Sequence, residues 1–218
     1  MRHLNAGIWN SFANPIATNS QESISHTDLI NGYADLVEQR VQDGWQPHLI
    51  TFMFNQLPGS RSSVIKQTRD EIERVYATLV TRVVRKPRSP KSADRLPVLI
   101  GFADLPVPKR ERRQLREITL NDGLHYHGIL LMPARSRLRT GLAFHFMKYH
   151  RLYVGNGSRL DRLHVLKIET DPGYVVRYAL KALEKGRLPY DDCVLVLPKS
   201  VTELPTGRTE REVNAAAA

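Results

Sequence analysis

Apolar positions recur with a helical period from Ser25 to about Asp43, where Leu29, Tyr33, Leu36, Val37 and Val41 share one face. Ser25 or Thr27 is placed to cap that helix. The period then changes. His48-Leu-Ile-Thr-Phe-Met-Phe54 is a nearly unbroken apolar run, the pattern of a buried strand, and Leu57-Pro-Gly-Ser60 turns the chain. A long helix is expected from about Ser62 to Val84, with Ile65, Ile72, Val75, Tyr76, Leu79 and Val83 as its apolar stripe. Lys86 to Asp94 is a basic, proline-bearing loop. Leu96 to Asp104 has the pattern of a second strand, and Pro106 to Arg116 that of a second basic loop. Asn121-Asp-Gly123 predicts a turn, and Gly123 to Pro133 a strand. A helix is expected from Leu138 to about Tyr153, a strand from Arg162 to Glu169, and a helix from Asp171-Pro-Gly173 to about Lys185. Cys193 to Leu197 predicts a last strand.

Strands alternating with helices predict one sheet with helices packed on one face. Residues 1–24 are polar and aperiodic and are expected to form an arm. Residues 25–198 are expected to form a single domain, and 199–218 a frayed tail. No internal repeat is present.

Composition narrows the partners. Lys and Arg number 32 against 22 Asp and Glu, a net charge of +10. That surplus favours a polyanion, nucleic acid first, and argues against a small-molecule metalloenzyme. The expected DNA contacts are Lys109, Arg110, Arg112 and Arg113 in the second basic loop, with Arg177. Both basic loops are expected beside the active face. Cys193 is the single cysteine, which excludes an internal disulfide framework and a cysteine-rich zinc site. No apolar run reaches the ~18 residues of a membrane span. The first residues lack the apolar core of a signal peptide. A reducing cytoplasm, of a bacterial or phage-infected cell, is the expected compartment.

The chemistry concentrates in two places. His125 and His127 are two residues apart on an expected strand, so both imidazoles point to one side and can chelate one cation. A third ligand is needed. Asp104, at the end of the preceding strand, is favoured. Glu117 is the alternative, although its surroundings are too charged for a clear strand. Asp122 is expected to serve the turn. Imidazole with one carboxylate suits Zn, Mn, Fe or Ni, whereas Mg prefers oxygen. The cupin pattern is weakened because Leu131 and Met132 stand in the region where its glutamate is needed. Non-haem iron oxygenases commonly use a different spacing of the same ligands.

The second place is Tyr174-Val-Val-Arg-Tyr178-Ala-Leu-Lys181. In a helix, Tyr174, Tyr178 and Lys181 share a face. The bland alternative is that the two rings simply pack in the core. A phenol is a poor nucleophile near neutral pH unless a cation polarises the bond it attacks. A phosphate beside the helix N-terminus is a suitable target.

The order of these parts resembles the HUH endonuclease superfamily, and within it the two-tyrosine rolling-circle replication initiators of phages and plasmids. Leu49 to Phe54 is similar to the family's first motif, His125-Tyr-His127-Gly128 to its metal motif, and Tyr174 to Lys181 to its catalytic helix. The resemblance covers roughly residues 47–186. It implies an α+β fold with a ferredoxin-like or RRM-like antiparallel sheet, and a divalent metal, Mg or Mn. It also implies attack on single-stranded DNA, at an origin or element end, giving a 5′-phosphotyrosine link and a free 3′-OH. Tyr178 is the first choice of nucleophile because it stands in a Tyr-x2-Lys frame, and Tyr174 is the second. There is no Gly-x4-Gly-Lys-Ser/Thr phosphate loop, so a separate helicase is expected to unwind the DNA. The rival expectation is a non-catalytic, RRM-like binder of single strands.

Overall fold

A computed structural model describes residues 25–105, 120–155 and 157–199. Helix α1 spans His26–Gln42. Ser25 caps it: its hydroxyl accepts from the Asp28 N–H at 3.1 Å, and the Asp28 carboxylate accepts from the Ser25 N–H at 3.3 Å. The buried stripe is Ile30, Tyr33, Ala34 and Val37, turned from the expected face, with Leu29, Leu36 and Val41 half-buried. Strand β1 spans Gln46–Phe54, and helix α2 spans Arg61–Val83. All six residues of the expected α2 stripe are buried. The first basic loop holds a turn of 3-10 helix, Pro90–Arg95. Strand β2 is Val98–Asp104 and β3 is His125–Met132. Every residue of β2 is buried, as in a strand covered on both faces.

The expected helix from Leu138 is two short pieces, α3 (Leu142–Lys148) and α4 (His150–Tyr153), which meet at Tyr149. Strand β4 is Leu160–Lys167. The tyrosine helix is also divided: α5 is Pro172–Ala179, Leu180 departs from helical geometry, and α6 is Lys181–Glu184. Helix α7 (Tyr190–Cys193) leads into β5 (Val194–Leu197).

The five strands form one antiparallel sheet in the order β4-β1-β3-β2-β5, so the chain is α+β. Each long crossover skips a strand: β1 and β2 flank β3, and β3 and β4 flank β1. The two faces differ. Tyr126 points to the face covered by α2, where its hydroxyl lies beside Thr68 and Arg69. On that side α2 also holds the end of α4. Arg74 donates to the Leu152 carbonyl and to Glu71, and the Ser158 hydroxyl donates to Glu71 at 2.7 Å. Burial alone would raise the Glu71 carboxyl, but these hydrogen bonds outweigh it and hold the carboxyl below the usual range.

The opposite face carries the histidines, because His127 pairs with Phe102 and His125 with Asp104 across the ladder. Tyr33 of α1 packs edge-on against Phe102, with centroids 6.2 Å apart, and α5 packs along α1. Helices therefore cover both faces, not one as expected. The two crossover segments share a face, while the segments outside the crossovers supply α1 and α5 to the other.

Candidate metal centre and tyrosine helix

Two adjacent central strands carry the ligand set. Asp104 ends β2 and His125 begins β3, directly opposite it, with His127 one pleat further on the same face. The ligand atoms of Asp104, His125 and His127 all lie within 4.8 Å of one another. The two Nε2 atoms are 3.1 Å apart, and they stand 3.6 and 3.8 Å from Asp104 Oδ2. Asp104 is 2 % exposed, and the histidines are half-buried.

Backbone and side-chain partners orient both rings. His125 Nδ1 lies 2.9 Å from the Gly123 carbonyl, which only accepts, so Nδ1 donates there and Nε2 is the nitrogen turned toward Asp104 and His127. His127 Nδ1 lies 3.2 Å from the Thr51 hydroxyl of β1. Outer partners of this kind fix the tautomer and aim of metal-binding imidazoles. Asp104 Oδ1 is buried without a hydrogen-bond partner among the described residues. A buried, half-satisfied carboxylate beside converging imidazole nitrogens fits a divalent cation, and the group could hold one.

The approach to His125 is held by a side chain absent from the sequence-based candidates. Asn121 sits at φ 53° and Asp122 at φ 55°, both left-handed, before Gly123 at φ 75°. Buried Asn121 accepts from the Leu57 N–H at 2.8 Å and donates to the Asn55 carbonyl at 2.9 Å. It staples the end of β1 to the start of β3. Its signal in the sequence was no more than a turn residue, because its partners lie 64 and 66 positions away. Thr51 was legible only as part of a strand, for the same reason.

Tyr174 and Tyr178 stand one turn apart on α5, their rings stacked at 6.4 Å, and are 59 % and 54 % exposed. That exposure disposes of simple core packing for both rings. Lys181, just past the break at Leu180, reaches inward. Its Nζ lies 2.7 Å from Asp104 Oδ2 and 4.5 Å from the centre of the Tyr178 ring. One ammonium thus touches both the ligand cluster and a phenol. Arg177 is exposed at 4.0 Å from Asp171. The N-terminus of α5 is already served: Asp171 accepts from the Tyr174 N–H at 2.8 Å. An anion there opposes the phosphate site that the sequence suggested.

Glu117, Lys109, Arg110, Arg112 and Arg113 lie outside the described residues, as do the arm and nearly all of the tail. The first basic loop is not beside the active face. It precedes β2, whereas Asp104 ends β2, so the strand separates them by about 20 Å. Among the described residues, no helix is long and apolar enough to cross a membrane.

No family model, curated protein or solved structure matches this chain.

Proposed function

We propose that the protein is a metal-dependent nuclease of the HUH type, which nicks and joins single-stranded DNA through a phosphotyrosine link. The observation that carries this reading is the Lys181 ammonium, which contacts Asp104 and the Tyr178 ring together and so ties the exposed phenols to the ligand cluster. The strand order supports it. With β5 set aside, β4-β1-β3-β2 with two crossovers on one face is the split βαβ arrangement of ferredoxin-like domains.

His125, His127 and Asp104 would hold Mg or Mn, which when bound supplies charge to polarise a phosphate and stabilise its developing negative charge. Tyr178 would attack phosphorus through its hydroxyl oxygen, the P–O3′ bond would break, and the 3′ oxygen would leave and take up a proton. Lys181, 4.5 Å from the centre of the Tyr178 ring, places positive charge where the transition state gathers negative charge. Tyr174, on the same face, would accept a strand in a second exchange.

The test is to mix the protein with labelled random single strands and Mn, then denature it. A labelled protein band that survives detergent supports the nuclease; strand retention without that band means a binder. The binder reading has its own observation. On the histidine face β4 leaves Arg162, His164 and Leu166 exposed beside β1, as on an open RRM-like platform.

A further inference from the structure

A second basic site lies at the far end of the sheet. The C-terminal end of α2, the 3-10 turn and the loop after β3 enclose a cleft of about 490 Å³. Arg85, Lys86, Lys91, Arg95 and Arg137 line it, all exposed, and none forms an ion pair with a carboxylate among the described residues. Backbone hydrogen bonds set this convergence. Val84 N–H donates to the Val80 carbonyl and closes α2, and Arg137 N–H donates to the Val83 carbonyl at 3.0 Å. Five cations held around one concavity repel one another until an anion enters.

We propose that this cleft binds the sugar-phosphate backbone of nucleic acid at a distance from the ligand cluster. The proposal rests on the nucleic-acid reading above but not on cleavage. The lining favours phosphate over a free nucleotide. It offers ammonium, guanidinium and the hydroxyls of Ser89 and Ser92, all able to donate, and no aromatic ring or side-chain amide to stack or read a base. The cleft stands at the start of β2 and the ligand cluster at its end. That separation of about 20 Å corresponds to roughly six nucleotides at the stacked rise of ~3.4 Å, but to only about three in an extended single strand, whose phosphates stand about twice as far apart. A strand held at the cluster reaches the cleft only if it is longer than about three extended nucleotides.

The experiment compares a labelled 3-nucleotide oligothymidine, too short to span that distance, with a 30-nucleotide one by fluorescence anisotropy over a salt series. The variant carries Arg85→Gln, Lys91→Gln, Arg95→Gln and Arg137→Gln. Binding of the long strand should weaken at least tenfold at moderate salt, with its log–log salt slope flatter by roughly 3, at ~0.7 for each phosphate no longer neutralised. The short strand should bind as before. A companion variant, Arg85→Lys, Arg95→Lys and Arg137→Lys, should retain the long strand, which separates an effect of charge from an effect of misfolding. Equal weakening for both lengths, or for neither, overturns the proposal. Tripolyphosphate bound by the cleft with no change for the long strand would assign it to a small polyanion and also overturn it. If the length-dependent weakening holds while no covalent adduct forms with Mn, the nuclease reading fails and the cleft stands.

Discussion

At the scale of single residues, the ligand cluster and the phenols make separable demands. His125→Ala or His127→Ala removes one donor from a three-donor set and Asp104→Asn removes its negative charge, so each should weaken Mn binding at least tenfold by titration calorimetry. Single-strand affinity should stay within a fewfold of the parent, because many Lys and Arg supply the bulk attraction. Parent-like nicking by these variants in EDTA would sink the metal reading. Tyr178→Phe should abolish the first adduct, and Tyr174→Phe should keep it but lose strand transfer, since Phe preserves the ring and removes only the hydroxyl. Adduct from the double variant would place the nucleophile elsewhere. Lys181 shares Asp104 Oδ2 with any cation held there, at 2.7 Å. Lys181→Met should therefore tighten Mn binding while slowing adduct formation. Weaker Mn binding in that variant would count against the competition.

At the scale of elements, a short buried histidine pairing holds α3 against α4. His145 Nε2 and the Tyr153 hydroxyl are hydrogen-bonded at 2.8 Å, and both side chains are buried. Burial first, then the charge of Arg82, pushes the His145 imidazole below its ordinary range, and burial lowers His48 of β1 as well. In the unfolded chain both titrate near ~6.5. Stability from keeping them neutral is thus present above that pH and is lost below it, as the unfolded state takes up protons first. The melting temperature should fall between pH 7.5 and 5.5. His145→Gln can still hydrogen-bond Tyr153 in either direction but cannot titrate, so its curve should be flatter. An identical slope would mean other groups govern the acid limb. The same element scale explains Lys181: in an unbroken helix it would continue the tyrosine face, and the departure at Leu180 turns it in to Asp104 instead.

Across the whole molecule, the +10 charge is spread over more than one surface. The ligand cluster lies at one end of β2 and the basic cleft at the other, so a strand bound as proposed would be drawn along the sheet rather than to a point. Neutralising Lys109, Arg110, Arg112 and Arg113 together should flatten the salt slope of single-strand binding by roughly 0.7 for each phosphate those side chains engage. An unchanged slope would move the DNA path away from that segment.

Periodicity alone determined the strands and long helices of this chain, because apolar spacing reports directly which side of an element is buried. The paired histidines were equally legible, since alternation along one strand puts i and i+2 together whatever surrounds them. Asp104 was legible only as one of two candidates. Its place beside His125 is a property of strand register, which no local pattern encodes. Thr51 and Asn121 entered the site for the same reason, each through a partner more than sixty residues distant. The breaks at Tyr149 and Leu180 went unseen because both segments keep apolar spacing through them. The charge total pointed to a polyanion from the sequence. That Arg137 joins Arg85 and Arg95 at the far end of the sheet was decided only when β3 returned the chain to the end of α2.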